Sequence, residues 1–179
     1  MAGAIAGTVV LMVCVLHWLG RRWWCACGAA NLWWGDPKSS HSSQHLIDPY
    51  SLTHVLHGVL FCGILAWVWP RLPYAVALIA TVVLEALWEI LENSPIVIER
   101  YRTATIALGY EGDSIVNSIG DVVCCTLGFV LARRLGWKWS AGFVVATELI
   151  LLVWIRDNLF LNIAMLLYPI DAIRTWQGG

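Results

Sequence analysis

The chain has 179 residues, 59% of them hydrophobic, with 11 basic and 12 acidic side chains and a formal charge of −1. Its mean hydropathy of +0.70 lies far above ordinary globular composition, and no basic stripe or aromatic stacking platform points to nucleic acid. The small net charge defines no protein partner, so the partner this composition implies is membrane lipid.

Five apolar runs follow in order: Gly3–Gly20, Leu52–Trp69, Tyr74–Leu91, Ile115–Leu131 and Ser140–Ile155. Each approaches the roughly 20 residues that span a bilayer core. They predict an all-α, polytopic membrane helical bundle of about five transmembrane helices, forming a single domain over 1–179. The first run has no basic residues before it, and Arg21-Arg22 follows it, so it reads as a retained span rather than a signal peptide. Ten of the twelve tryptophans (Trp18, Trp23, Trp24, Trp33, Trp34, Trp67, Trp69, Trp137, Trp139 and Trp176) sit near run ends, as in an interfacial belt. Trp88 is an exception, inside the third run beside Glu89.

The connection from Arg21 to Ser51 holds Cys25-Ala26-Cys27-Gly28, a Trp33-Trp34-Gly35-Asp36-Pro37 turn and a polar stretch ending in His45. A loop of this length in so small a protein is uncommon unless functional or disordered. Pro70–Pro73 predicts a tight hairpin, and Arg133–Trp139 a basic turn. Between them, Pro95 ends a helix, and Ile96-Val97-Ile98 reads as an interfacial segment. Leu159–Leu167 is too short to span; it either continues the fifth helix or lies in the interface.

Threading these runs through a bilayer places every histidine, and every carboxylate except Glu148, toward one face, here side A. Basic residues divide seven to side A (Arg21, Arg22, Lys38, Arg100, Arg102, Arg156, Arg174) and four to side B (Arg71, Arg133, Arg134, Lys138). The raw count favours a cytoplasmic side A, whereas the short, exclusively basic B loops favour a cytoplasmic side B. The second argument decides the reading adopted, with the polar site facing outward.

On side A, His54 and His57 share one face of the second run, and Glu85, Glu89 and Glu92 share one face of the third. Asp113, Asn117 and Asp121 do the same at the start of the fourth. By rise, all lie within roughly 12 Å of the A surface. Buried carboxylates in a membrane are costly and face partners. Imidazole with carboxylate suits a divalent metal such as zinc, for which His54, His57 and Glu85 are the candidate ligands and Glu89, Asp113 and Asp121 the candidate catalytic acids. The alternative is that these groups cross-link helices, with Glu92 and Asp113 serving as caps. Cys25 and Cys27 are a weak metal or disulfide signal, and Cys14, Cys62, Cys124 and Cys125 read as small core residues. Arg156 and Asp157 form either a local ion pair or part of the site; Arg100 and Arg102 read as lipid-phosphate contacts or snorkelling anchors.

Several stretches carry a family resemblance: Cys25-Ala26-Cys27-Gly28, Ser43-Gln44-His45-Leu46, His54-x-x-His57-Gly58 and Trp88-Glu89-Ile90-Leu91-Glu92-Asn93-Ser94-Pro95. Arg100-Tyr101-Arg102, Thr105-Ile106, Gly112-Asp113-Ser114, Asn117-Ser118, Ile155-Arg156-Asp157-Asn158-Leu159 and Trp176-Gln177 extend it over nearly the whole chain. On these the chain resembles an uncharacterised family of small multispanning bacterial inner-membrane proteins, a domain of unknown function. The resemblance implies multi-pass inner-membrane localisation and no established reaction. The chain departs from the family pattern at Asp48-Pro49-Tyr50 and Ser42-Ser43-Gln44-His45. A looser likeness joins Trp88-Glu89 and Gly112-Asp113 to VanZ-like membrane proteins, and Asn117 and Asp121 to lipoprotein signal peptidase.

Three functions fit these residues: a membrane-embedded hydrolase or transferase acting on lipid or a lipid-linked substrate; a metal- or proton-binding or transport component; and a non-catalytic accessory subunit. The absence of acids on side B tilts the balance toward an enzyme or binding protein over a conduit.

Overall fold

The computed structural model describes residues 1–29, 31–105 and 109–178. Ile106, part of the resemblance above, lies outside the described residues. The fold is all-helical: α1 (Ala2–Trp18), α2 (Ser51–Val68), α3 (Tyr74–Glu92), α4 (Pro95–Ala104), α5 (Ile115–Ile155), α6 (Leu159–Leu167) and α7 (Asp171–Gly178). Among the described residues, α2, α3 and α5 are long and apolar enough to cross a membrane; α1 is apolar but has 17 residues. Trp18, Trp67, Trp69, Trp137 and Trp139 are all exposed, as expected for side chains that meet lipid or its interface.

The fourth and fifth sequence runs belong to one helical segment, α5, interrupted at Gly136. Gly136 has φ 73° and ψ 170°, a combination open to glycine and closed to residues with a Cβ. A straight helix of 41 residues would be about 60 Å long, yet both ends of α5 meet the same connection. The amide of Ile115 donates to Arg22 O at 2.8 Å, and Trp154 stacks on Trp33 with ring centroids 6.0 Å apart. The chain therefore reverses at Gly136, so the Arg133–Trp139 turn of the sequence reading shrinks to one glycine. Phe143 and Val144 return against the cluster containing Phe129 and Ala132.

Two apolar clusters support the bundle. Met12, Leu16, Val82, Ala86, Ile115 and Val122 join α1 to α3 and α5; Val59, Cys62, Ala77, Leu78, Phe129 and Ala132 fill the opposite end. Helices α2 and α5 cross in close backbone contact. A Cβ on Gly58 would fall 1.9 Å from Cys125 O, and one on Gly128 would fall 2.0 Å from Val55 O. Such small-residue crossings suit helices that gain nothing from hydrophobic expulsion by water. Cys14 is exposed and Cys124 half-buried, so of the four cysteines expected in the core only Cys62 and Cys125 are there.

The 21–50 connection folds onto the start of α5. Arg22 O and Trp23 O accept from the amides of Ile115 and Val116, and Ser114 Oγ accepts from Asn117 N. These contacts satisfy donors that a helix start otherwise leaves unpaired. Asn117 Nδ2 donates to His45 O at 2.8 Å, and Leu46 O packs where a side chain on Gly120 would sit. Asp48 accepts from Ser43 N at 2.6 Å and from the amides of Tyr50 and Ser51, joining this connection to the start of α2.

At the C-terminal end the structure decides between the two readings of Leu159–Leu167. Leu159–Leu167 is a separate helix, because Arg156 turns left-handed (φ 55°) and Asn158 caps a new start by accepting from Leu161 N. Glu148 has a clear role here, accepting from the amides of Leu159 and Phe160 at 3.0 and 3.2 Å. A carboxylate at a helix start is favoured by both hydrogen bonding and the helix dipole. Arg100 donates to Leu166 O and Leu167 O, closing the other end of α6, and Arg102 donates to Tyr110 O. Both arginines thus bind carbonyls within the protein. Ile96–Ile98 is the first part of α4, started by the Ser94 cap and Pro95.

Candidate functional site

Helices α2 and α3 bring their polar faces together at one depth. His54 Nδ1 lies 2.5 Å from Glu85 Oε1, and His57 Nδ1 lies 3.0 Å from Glu85 Oε2. A carboxylate accepts, so these ring nitrogens donate, and a neutral ring then keeps its lone pair on Nε2. His54 Nε2 is 3.8 Å from Asp121 Oδ2 on α5. Trp88 packs edge-on against His57, with centroids 5.8 Å apart.

Glu89 is fully buried and neither carboxylate oxygen has a hydrogen-bond partner. His54 Nδ1 is 3.3 Å from Glu89 Oε1, within ion-pair distance, but its proton is directed at the closer Glu85. Glu92 Oε2 and Asp121 Oδ1 are likewise buried without partners, while Glu92 Oε1 accepts from Tyr101 OH at 2.9 Å. Two overlapping sets have ligand atoms close enough for one ion: His54, His57 and Glu85, and His54, Glu89 and Glu92.

Asp113 stands apart from these sets. Its oxygens accept from Tyr110 OH at 2.8 Å and Asn93 Nδ2 at 2.9 Å, and its amide donates to Asn93 Oδ1 at 2.7 Å. It fastens the segment before α5 to the end of α3, and Ser114 is the helix cap. Burial raises its pKa, against the two side-chain hydrogen bonds that favour the carboxylate. Asn117 holds His45 and does not enter the histidine–glutamate cluster. Arg156 and Asp157 do not pair with each other: Arg156 donates to Trp176 O at 3.1 Å, and Asp157 accepts from Gln177 Nε2 at 3.0 Å and Tyr50 OH at 3.4 Å. Burial lifts the Asp157 pKa to about 6.

A cavity of about 1350 Å³ connects these features. His54, His57, Glu92, Asp113 and Asp121 form polar parts of its wall, and Leu60, Phe61, Ile64 and Trp88 an apolar part. Cys25, Cys27 and His41 line its outer portion.

Cys25 and Cys27 do not stand alone. Together with His41 and His45 they form a third set, whose candidate ligand atoms all lie within 4.8 Å of one another. Sequence reasoning missed the two histidines. The available signal was their i, i+4 spacing downstream of C-x-C, hidden in a stretch without helical periodicity.

The fold and site thus define a class: an all-helical protein with three helices fit to cross a membrane and a buried histidine–carboxylate cluster at one end of them. The chain belongs to the family described as "Protein of unknown function (DUF2585)", which matches residues 16–179. It is 44% identical over 174 residues to a UPF0314 protein of Sphingopyxis alaskensis, covering 97% of this chain and 93% of that one. A UPF0314 protein of Paracoccus denitrificans is 46% identical, with 96% and 89% covered, and one of Rhizobium meliloti 44% identical, with 98% and 89% covered. No solved structure matches. The VanZ-like likeness has no counterpart in these findings.

Proposed function

We propose that this is a multi-pass inner-membrane protein, a single bundle, whose histidine–carboxylate pocket binds a divalent metal such as zinc and hydrolyses or transfers a group on a lipid or lipid-linked substrate. The observation that carries this reading is the set of unpartnered buried oxygens on Glu89, Glu92 and Asp121 around His54. Unpaired carboxylates in a low-dielectric interior require a counter-charge or shared protons, and a purely cohesive cluster would have paired them. His54 and His57, with a carboxylate from Glu85 or Asp121, would hold the ion. Bound there, it would supply a Lewis acid that makes water nucleophilic near neutral pH.

The chain's own groups divide the remaining work. Glu85 meets both rings at Nδ1, so with Glu85 as ligand the ion would replace those two hydrogen bonds and the ring protons would move to Nε2. Glu89, which has no hydrogen bond to give up, is placed to take a proton. Trp88 and Phe61 limit water on the apolar side, where Leu60 and Ile64 offer a wall for an acyl or isoprenoid chain. Below the cluster, Val59, Cys62, Leu78 and Phe129 pack in an apolar core, and the loops beyond it carry no acid, which favours an enzyme or binding site over a conduit. With the short basic loops cytoplasmic, the cavity opens outward.

The test is metal content and thermal unfolding of detergent-purified protein, with and without chelator, in a Cys27→Ser background that removes a loop thiolate. An ion bound only by the native state raises its stability. Retained metal that is lost in His57→Ala supports the reading. No co-purifying metal, no uptake from added zinc and an unchanged melting temperature reject it.

A further inference from the structure

The 21–50 connection carries a second cluster that shares no residue with the pocket sets. We propose that Cys25, Cys27, His41 and His45 bind one zinc ion in a closed, four-coordinate site that fixes this connection over the cavity. The inference does not depend on the pocket holding a metal.

The local chain is built for thiolates. Gly28, at φ 80°, lets the backbone turn back so that its amide donates to Cys25 O at 3.1 Å. Within that turn Cys27 N donates to Cys25 Sγ at 3.4 Å, and Ala29 N to Cys27 Sγ at 3.5 Å. Amides aimed at both sulfurs stabilise negative sulfur and orient the ligands, as the outer shell of a metal site does.

The histidines are held equally firmly. Trp34 lies against both rings, with centroids 4.4 Å from His41 and 5.3 Å from His45, and its Nε1 donates to Ser39 Oγ at 2.7 Å. Ser39 Oγ in turn accepts from His41 N. Asn117 fixes the His45 backbone to α5. This is far more ordering than a solvent loop requires.

The separations fit. Zinc–sulfur bonds of about 2.3 Å and zinc–nitrogen bonds of about 2.0 Å give tetrahedral edges of roughly 3.3–3.8 Å. Cys25 Sγ and His41 Nδ1 are 3.1 Å apart, and no candidate pair exceeds 4.8 Å. Closure to ideal geometry needs shifts of about 1 Å or less.

One observation independently points to a missing ligand. His45 is buried and its Nε2 has no hydrogen-bond partner, while Nδ1 accepts from Asn31 N at 3.3 Å. A stranded imidazole nitrogen in the interior is unfavourable, and an ion bound to it removes the deficit. Ligation by Nε2 moves the ring proton to Nδ1 and breaks the Asn31 contact; ligation by Nδ1 displaces that contact directly. Two thiolates and two neutral imidazoles cancel the charge of Zn²⁺, and loading releases the two thiol protons. Cys27 is exposed, which leaves an entry path. With four protein ligands the site has no open position, so its role is structural.

The experiment uses the full chain in detergent, stripped of metal and titrated with Co²⁺ and then Zn²⁺. One equivalent of cobalt is expected to give a thiolate-to-cobalt charge-transfer band with the intense d–d absorption of tetrahedral coordination, both displaced by one equivalent of zinc. The exposed-site variant Cys27→Ser, which leaves the buried side chains untouched, and His41→Ala should each lose that band; Glu85→Gln should keep it. Absence of the charge-transfer band in the native sequence, its persistence in Cys27→Ser, or a Cys25–Cys27 disulfide in protein isolated without reductant would each overturn the proposal.

Discussion

His54 and Glu85 are joined by a 2.5 Å contact from Nδ1 to Oε1 that ties α2 to α3, while Glu89, one turn further along α3, stays buried with no hydrogen bond. The two acids should therefore respond oppositely to loss of charge. Glu85→Gln weakens charge-assisted bonds to two histidines and is expected to lower stability by about 1.5–3 kcal/mol. Glu89→Gln breaks no hydrogen bond and should leave the fold at least as stable and the metal bound, yet abolish activity. Thermal unfolding and metal content on the same preparations separate them, and a Glu89→Gln protein that unfolds on purification would contradict this division.

The α2–α5 crossing offers a test of the fold alone. Gly58→Ala and Gly128→Ala each drive a Cβ to within about 2 Å of a backbone carbonyl, so the helices must separate. A loss of about 3 kcal/mol or more is expected in each case. Gly63 lies on the same helix with no atom within 4 Å of its would-be Cβ. Gly63→Ala should thus be neutral or mildly stabilising, and equal effects at all three positions would count against the crossing.

Asp157 makes a pH-dependent contribution. Its folded-state pKa of about 6 lies above its ordinary value of 3.8, so between these values the folded protein holds a proton that the unfolded chain has released. Stability from this group is therefore full below about pH 4 and falls as pH rises to about 6, by about 3 kcal/mol. Asp157→Asn keeps an acceptor for Gln177 and removes the charge. It should raise the melting temperature at pH 7.5 and leave it unchanged at pH 4; a gain of equal size at both would refute the assignment.

Topology is testable with reporters fused after Arg71 and inserted at Ser40. The short α2–α3 hairpin and the 21–50 connection lie at opposite ends of α2, so the two fusions are expected to report opposite sides of the membrane. A single side for both would sink the multi-pass arrangement.

Local order was legible in the sequence wherever a group's place follows from its own helix. His54 with His57, and Glu85 with Glu89, share faces because helical spacing fixes the direction of each side chain, and the apolar runs give α1 to α3 nearly to the residue. Spacing does not report which partner a polar group meets. Asp113 joins neither ligand set, its oxygens being taken up by Asn93 and Tyr110. Glu148, isolated in the linear reading, caps α6 only because the chain reverses at Arg156. His41 and His45 join Cys25 and Cys27 through a loop whose course is set by hydrogen bonds to α5 and by stacking on Trp34. Those contacts link residues distant in sequence and leave no periodic trace, so only the tertiary structure could decide them.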